Sequence, residues 1–178
     1  MEKKLARWQT VGFLFTCVAG TLLHFLYDWS GENPLAAVVA GVTESTWEHM
    51  KLLFFPMFLF ALIEAGALGE RYQNFWAAKL AGILLGLALI PTLFYTYIGI
   101  TGTSAAWVNI AIFYASAAAA YLLETRLLSS SRGQSGAAQL GAVALLWLLA
   151  ITFVILTWFP PRLPLFQDPT TGQYGLRK

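Results

Sequence analysis

The fold is decided by the stretch Ala137-Ala-Gln-Leu-Gly-Ala-Val-Ala-Leu-Leu-Trp-Leu-Leu-Ala-Ile-Thr-Phe-Val-Ile-Leu-Thr-Trp158, which contains no charged residue. A helix rises about 1.5 Å per residue and needs roughly 20 apolar residues to cross the hydrocarbon core of a bilayer. The sequence therefore predicts an all-α, polytopic transmembrane bundle over residues 1–158, in the cell membrane with lipid as its surroundings. About five spans are expected, because similar apolar stretches precede this one at Trp8–Trp29, Thr43–Leu68, Phe75–Tyr97 and Ala105–Leu123.

The composition agrees with a membrane protein and excludes nucleic-acid binding. Hydrophobic residues make up 58% of the chain and charged residues 11%, whereas soluble domains carry roughly 25% charged residues. The formal net charge of +2 involves no long run of Lys or Arg, so no basic surface for nucleic acid is predicted. The single cysteine, Cys17, lies inside an apolar stretch and can form neither an intrachain disulfide nor a cysteine-based metal cluster.

The distribution of basic residues predicts the topology. The loops 30–42 and 99–104 contain no Lys or Arg, whereas seven basic residues fall on the opposite side when five spans are drawn. Arg162, Arg177 and Lys178 lie in the tail, on the same side as the uncharged loops. Because basic residues favour the cytoplasmic side, the N-terminus is predicted inside and the C-terminus outside. The basic residues on the predicted inner side are Lys3, Lys4, Arg7, Arg71, Lys79, Arg126 and Arg132.

Two segments outside the spans also carry structural signals. Residues 35–42 are apolar but too few to cross a membrane, so a re-entrant or interfacial segment is expected. Residues 159–178 contain several prolines, and Asp168-Pro-Thr-Thr-Gly172 is typical of a turn. We therefore predict an extracytoplasmic tail that folds back on the bundle, because Leu165 and Phe166 gain by burial against its apolar rim.

Both histidines of the chain fall at the predicted outer ends of spans one and two, together with several carboxylates. Ionisable groups beside hydrocarbon are costly, so they usually face a cavity or each other. Two imidazoles with carboxylates form an ordinary ligand set for a divalent metal such as zinc, and a spare carboxylate can accept a proton. We predict a pocket for a metal or a polar ligand, such as a lipid headgroup, and from it a metal-dependent membrane hydrolase. The predicted metal ligands are His24, Asp28 and His49, the predicted catalytic carboxylates are Glu44 and Glu48, and the predicted pocket or ion-pair residues are Ser45, Lys51 and Asp168.

Three alternatives stay open at this point. Ser45 and Glu48 have the spacing of a helix capping box, and Glu48 can pair with Lys51, which would give the cluster a purely structural role. A small transporter or channel for a polar solute or ion is the second alternative, with Glu64 and the prolines of spans two and three lining its path. The third is a membrane scaffold without catalytic activity.

Two runs carry a resemblance that covers nearly the whole chain. Glu44-Ser-Thr-Trp-Glu-His-Met-Lys-Leu-Leu-Phe-Phe-Pro56, together with the proline-rich run from Pro160 to Gly175, resembles an uncharacterised family of small bacterial multi-pass membrane proteins. This resemblance implies no activity.

A second, partial resemblance rests on the pattern Ser45-x-x-x-His49 beside Asp28. It is similar to part of the pattern in the membrane zinc hydrolase superfamily of alkaline ceramidases and adiponectin receptors. That resemblance implies a zinc site with three histidines. Spans three to five contain no histidine here, so carboxylates would have to take the missing ligand positions.

Overall fold

The computed structural model describes residues 3–176, and Met1, Glu2, Arg177 and Lys178 lie outside the described residues. Within the described part, all regular structure longer than a single turn is α-helical, and each of its five α-helices is long and apolar enough to span a membrane. The prediction of an all-α bundle of five spans is confirmed. The helices are α1 (Lys3–Trp29), α2 (Thr46–Leu68), α3 (Phe75–Thr101), α4 (Ala106–Leu128) and α5 (Gly136–Trp158).

Helix α2 lies at the centre of the bundle. It packs against α1, α3 and α5, and fourteen of its 23 residues are buried. Its apolar residues occur all round the helix rather than in one stripe, which is typical of a helix that neighbours surround on most sides. Pro56 lies inside α2 and Pro91 inside α3, and both helices continue through their prolines.

The helices extend further at the predicted cytoplasmic end than the apolar stretches do. Helix α4 continues to Leu128, so the predicted end of span four at Leu123 is five residues too early. Glu124 and Lys79 are both buried inside the bundle. Lys79, which was counted among the basic residues of the predicted inner side, forms ion pairs with two buried carboxylates within the bundle.

Two short segments close the opposite end of the bundle. Residues 35–42 contain a 3₁₀ turn (Ala36–Val38) that lies against α1 and α5, and Ala37 is fully buried there. After α5 the chain forms a second 3₁₀ turn (Pro164–Phe166). The ring of Phe166 lies 4.7 Å from that of Trp47 between ring centroids, and Trp47 in turn lies 4.5 Å from Phe153.

A tight turn follows this second 3₁₀ turn. The amide of Gly172 donates to the carbonyl of Asp168 at 2.8 Å, and the amide of Asp168 donates to the carbonyl of Gln173 at 2.9 Å. Gly172 has a φ of +71°, which glycine adopts without strain. The turn is thereby held with the carboxylate of Asp168 buried toward the start of α2.

Candidate functional site

The start of α2 positions the candidate site. Ser45 is the N-cap, and its hydroxyl oxygen accepts a hydrogen bond from the amide of Glu48 at 3.4 Å, as predicted for a helix cap. Thr43 supports the cap, because its hydroxyl donates to the hydroxyl of Ser45 at 3.1 Å. This local structure places Glu44 just before the helix and His49 in its first turn.

His24, Glu44 and His49 form a group at this end of the bundle. His24 Nε2 lies 3.7 Å from one carboxylate oxygen of Glu44, and His49 Nε2 lies 3.7 Å from the other. One ligand atom from each residue can be chosen so that all three lie within 4.8 Å of one another. The side chains of His24 and His49 are 31% and 26% exposed, against 49% for Glu44, so the group is reachable from outside the protein.

A hydrogen bond sets the orientation of the His49 ring. His49 Nδ1 lies 2.9 Å from the carbonyl oxygen of Ser45, and a carbonyl can only accept. Nδ1 therefore carries a proton and donates it, so Nε2 is the nitrogen that faces Glu44 and that has the lone pair in the neutral ring. Metal-binding histidines in proteins are commonly held by the same kind of second hydrogen bond.

The tail positions Glu44. The backbone amide of Glu44 donates to the carboxylate of Asp168 at 3.5 Å, and that carboxylate also accepts hydrogen bonds from the amide and hydroxyl of Thr170 at 2.7 and 2.6 Å. Burial acts to raise the pKa of Asp168, but the bonds from Thr170, Thr171 and Glu44 outweigh it and bring the pKa below its ordinary value. Asp168 is therefore an anion that fixes the loop in front of α2.

A cavity of about 320 Å³ opens beside the two histidines, between the C-terminal half of α1 and the N-terminal half of α4. Its walls are mostly apolar, with Phe25 and Phe113 among them. His24, Glu44 and His49 line its other end. The cavity thus combines an apolar wall with a polar end.

The other residues predicted for the site lie elsewhere. Asp28 is exposed and is not part of the group, because it lies one helical turn, about 5.4 Å, beyond His24 along α1. Glu48 is 3% exposed and lies 2.6 Å from Lys51 Nζ. Glu48 and His49 point in different directions because consecutive residues of a helix are about 100° apart around its axis.

Glu48 and Lys51 belong to a separate buried cluster. The ammonium of Lys51 donates to the carbonyl of Ala37 at 3.0 Å and to the hydroxyl of Thr157 at 2.9 Å. Glu48 accepts hydrogen bonds from the amide of Val42 at 3.2 Å and from Thr157 at 3.1 Å. This cluster joins α2 to α5 and to the 35–42 segment, and the predicted pairing of Glu48 with Lys51 is confirmed.

Sequence reasoning missed a third polar group, at the other end of the bundle. Glu64, Lys79 and Glu124 come from three different helices and are all buried. The sequence does show that each of these charged residues lies several positions inside a helical stretch, where a buried partner is needed. Which residues of other helices they contact cannot be predicted from spacing within one helix. Glu64 was expected to line the path of a transporter or channel, and the structure pairs it with Lys79.

Comparison with known proteins gives one family. No curated protein and no solved structure matches the chain. A family model described as a family of unknown function matches residues 1–176, in agreement with the resemblance to an uncharacterised family. Since the match covers nearly the whole sequence, the chain belongs to this family, DUF6512.

Proposed function

We propose that this integral membrane protein binds a divalent metal ion of the zinc class through His24, Glu44 and His49. The observation that carries the proposal is the placement of both Nε2 atoms against the two oxygens of one carboxylate, each at 3.7 Å. In this proposal the carboxylate ligand is Glu44 rather than Asp28, which was predicted from the sequence. By the predicted topology, the site faces the extracytoplasmic side.

The distances are compatible with a metal ion bound between the three side chains. Bonds of about 2.0–2.1 Å to zinc place neighbouring ligand atoms of a tetrahedral site roughly 3.3 Å apart. The observed separations of 3.7 Å are close to this value but too long for direct hydrogen bonds. Small rotations of the side chains would complete the site, and a fourth position would remain for water or a ligand.

The cavity beside the site supports a hydrolytic role. Zinc with three protein ligands supplies Lewis-acid chemistry and activates water at neutral pH. The apolar wall formed by Phe25 and Phe113 suits the apolar part of an amphiphilic substrate, whose polar part would then lie beside His24, Glu44 and His49. We therefore infer a metal-dependent membrane hydrolase.

Metal analysis of the purified full-length protein tests the proposal. The protein is purified in detergent without chelators, and bound metals are measured by mass spectrometry. About one divalent metal per chain is expected for the wild type, and its loss for His24→Ala, His49→Ala and Glu44→Gln. Asp28→Asn is the matched control and should retain the metal. Absence of stoichiometric metal from the wild type would leave the scaffold alternative in its place.

The transporter alternative receives less support from the described residues. Glu64, which was expected to line its path, is 0% exposed. Its two carboxylate oxygens contact Gln9 and Lys79 rather than an open channel. Flux through proteoliposomes that changes on Glu64→Gln would restore that alternative.

A further inference from the structure

Gln9, Glu64, Lys79 and Glu124 form a cluster in which four helices meet, and we call it the four-helix polar cluster. The ammonium of Lys79 lies 2.6 Å from Glu124 Oε2 and also forms an ion pair with Glu64 Oε2. The amide of Gln9 donates to Glu64 Oε1 at 2.8 Å. This cluster lies at the opposite end of the bundle from His24 and His49, and the inference drawn from it does not depend on the proposed metal site.

The cluster is sealed from solvent. Lys79 is 1% exposed, and Glu64 and Glu124 are 0% exposed. The rings of Phe75 and Tyr121 each lie with their centroids 5.5 Å from Lys79 Nζ. Charges enclosed in this way must be neutralised from within, because water cannot compensate for them.

The charges of the cluster do not balance when both carboxyl groups are ionised. Two carboxylates against one ammonium leave one negative charge in excess. The charged groups acting on Glu124 are one cation, Lys79, and one further carboxylate, Glu64. Tyr121 also faces the cluster, with its hydroxyl 2.9 Å from that of Thr16. Helix α5, which packs on α3, contains no ionisable residue.

Two oxygens of the cluster are free to receive a positive charge. Glu124 Oε1 and Gln9 Oε1 are buried, and neither has a hydrogen-bond partner among the described residues. Glu124 Oε1 lies against Gly82, where an added Cβ would meet it at 2.8 Å and Glu124 Cγ at 2.3 Å. A buried acceptor without a partner requires an explanation, such as a bound proton or ion.

We propose that the four-helix polar cluster is a proton-binding site in which Glu64 and Glu124 share one proton at neutral pH. Two carboxyl groups that share one site do not both ionise readily, since each charge disfavours the other. One proton makes the cluster electrically neutral and leaves one carboxylate to pair with Lys79. A hard metal cation is a poorer occupant, because such ions take about six or more oxygen ligands and Lys79 already occupies the space between the carboxyl groups.

Infrared spectroscopy of the full-length protein in phosphatidylcholine nanodiscs at neutral pH tests the proposal. A protonated carboxyl group gives a carbonyl stretch that is separate from carboxylate bands and shifts in deuterated water. We expect this band in the wild type and in the control Glu70→Gln, which changes an exposed loop residue. Glu64→Gln and Glu124→Gln should each remove the band, because the remaining carboxyl group then ionises beside Lys79.

Thermal melting separates this proposal from a purely structural ion pair. Each single Gln variant should melt within a few degrees of the wild type, because a neutral amide replaces a neutral acid. The double variant Glu64→Gln/Glu124→Gln should melt far lower, since it leaves Lys79 unpaired. Absence of the band from the wild type, its persistence in either single variant, or sodium-dependent melting that Glu124→Gln abolishes would each overturn the proposal.

Discussion

The carboxylate of Asp168 accepts a hydrogen bond from the backbone amide of Glu44, 124 residues earlier in the chain. Asp168→Asn weakens this bond and should lower the free energy of unfolding by about 1.5–3 kcal/mol. It should also weaken metal binding roughly 10–100-fold if Glu44 is a ligand. Melting in detergent and competition with a chelator measure the two effects. Equal metal affinity of variant and wild type would show that the tail does not position Glu44.

Acid should remove the contribution of Asp168. Because the pKa of Asp168 is lower in the folded protein than its ordinary value, its ionised form stabilises the folded state at higher pH. That contribution is complete above about pH 4 and is lost as the pH falls through the folded pKa. Melting between about pH 5 and 3 should therefore fall more steeply for the wild type than for Asp168→Asn. Asp28→Asn, at an exposed position, should follow the wild type.

The apolar part of the tail should contribute more to stability than its charges. Phe166 is 6% exposed and packs on Trp47, so Phe166→Ala should cost about 3–5 kcal/mol. Leu163→Ala is the control, because Leu163 is 54% exposed. Deletion of residues 164–178 should lower the melting temperature in detergent while membrane insertion stays intact. Unchanged melting after that deletion would contradict the prediction.

The pair of Glu48 and Lys51 should show strong coupling. Lys51→Met leaves the carboxylate of Glu48 buried without its cation and should cost about 3–5 kcal/mol. The double variant Glu48→Gln/Lys51→Met removes both charges and should recover much of that loss. Denaturant unfolding of the four proteins in the cycle gives the coupling energy. Additive losses would show that the two side chains are independent.

Gly82 should tolerate no larger side chain. An added Cβ would lie 2.3 Å from Glu124 Cγ and 2.9 Å from the carbonyl oxygen of Ala120, so Gly82→Ala should destabilise the protein by about 1–3 kcal/mol. Gly99→Ala on the same helix is the control, because nothing lies within 4 Å of an added Cβ there. It should be neutral or stabilising by up to about 1 kcal/mol. Similar melting of both variants would contradict the prediction.

Labelling with a membrane-impermeant maleimide tests the topology. In a Cys17→Ser background, Ser30→Cys and Gln173→Cys should react in intact cells, because both positions are exposed and are predicted to face outward. Ser131→Cys should react only after permeabilisation, since its loop is predicted to be cytoplasmic. The reverse pattern would invert the orientation and place the His24 and His49 end inside.

The five helices could be predicted from the sequence because a run of about 20 apolar residues is enough to identify a membrane-spanning helix. The uncharged stretch of α5 and the turn residues between spans need no tertiary information. The cap at Ser45 and the pairing of Glu48 with Lys51 were also predictable, since both depend on spacing within one helix.

Contacts between distant residues could not be predicted in this way. The distribution of charge suggested that Lys79 is a cytoplasmic flanking residue, yet it lies between Glu64 and Glu124 from other helices. Within the candidate site, Asp28 was predicted as a metal ligand together with His24 and His49. Glu44 lies there instead, because the loop before α2 is held by a tail that no periodicity reveals.

The cluster of Lys51, Glu48 and Thr157 has a consequence for biogenesis. Thr157 follows Lys51 by 106 residues, and a ribosome delivers α2 to the membrane long before it delivers α5. The buried charges of α2 therefore enter the membrane before their hydroxyl partner exists. A nascent chain that stops before α5 leaves this polar surface incompletely paired, and it would be recognisable to membrane quality control. The end of the bundle that contains Lys51 can thus assemble only after α5 has been translated.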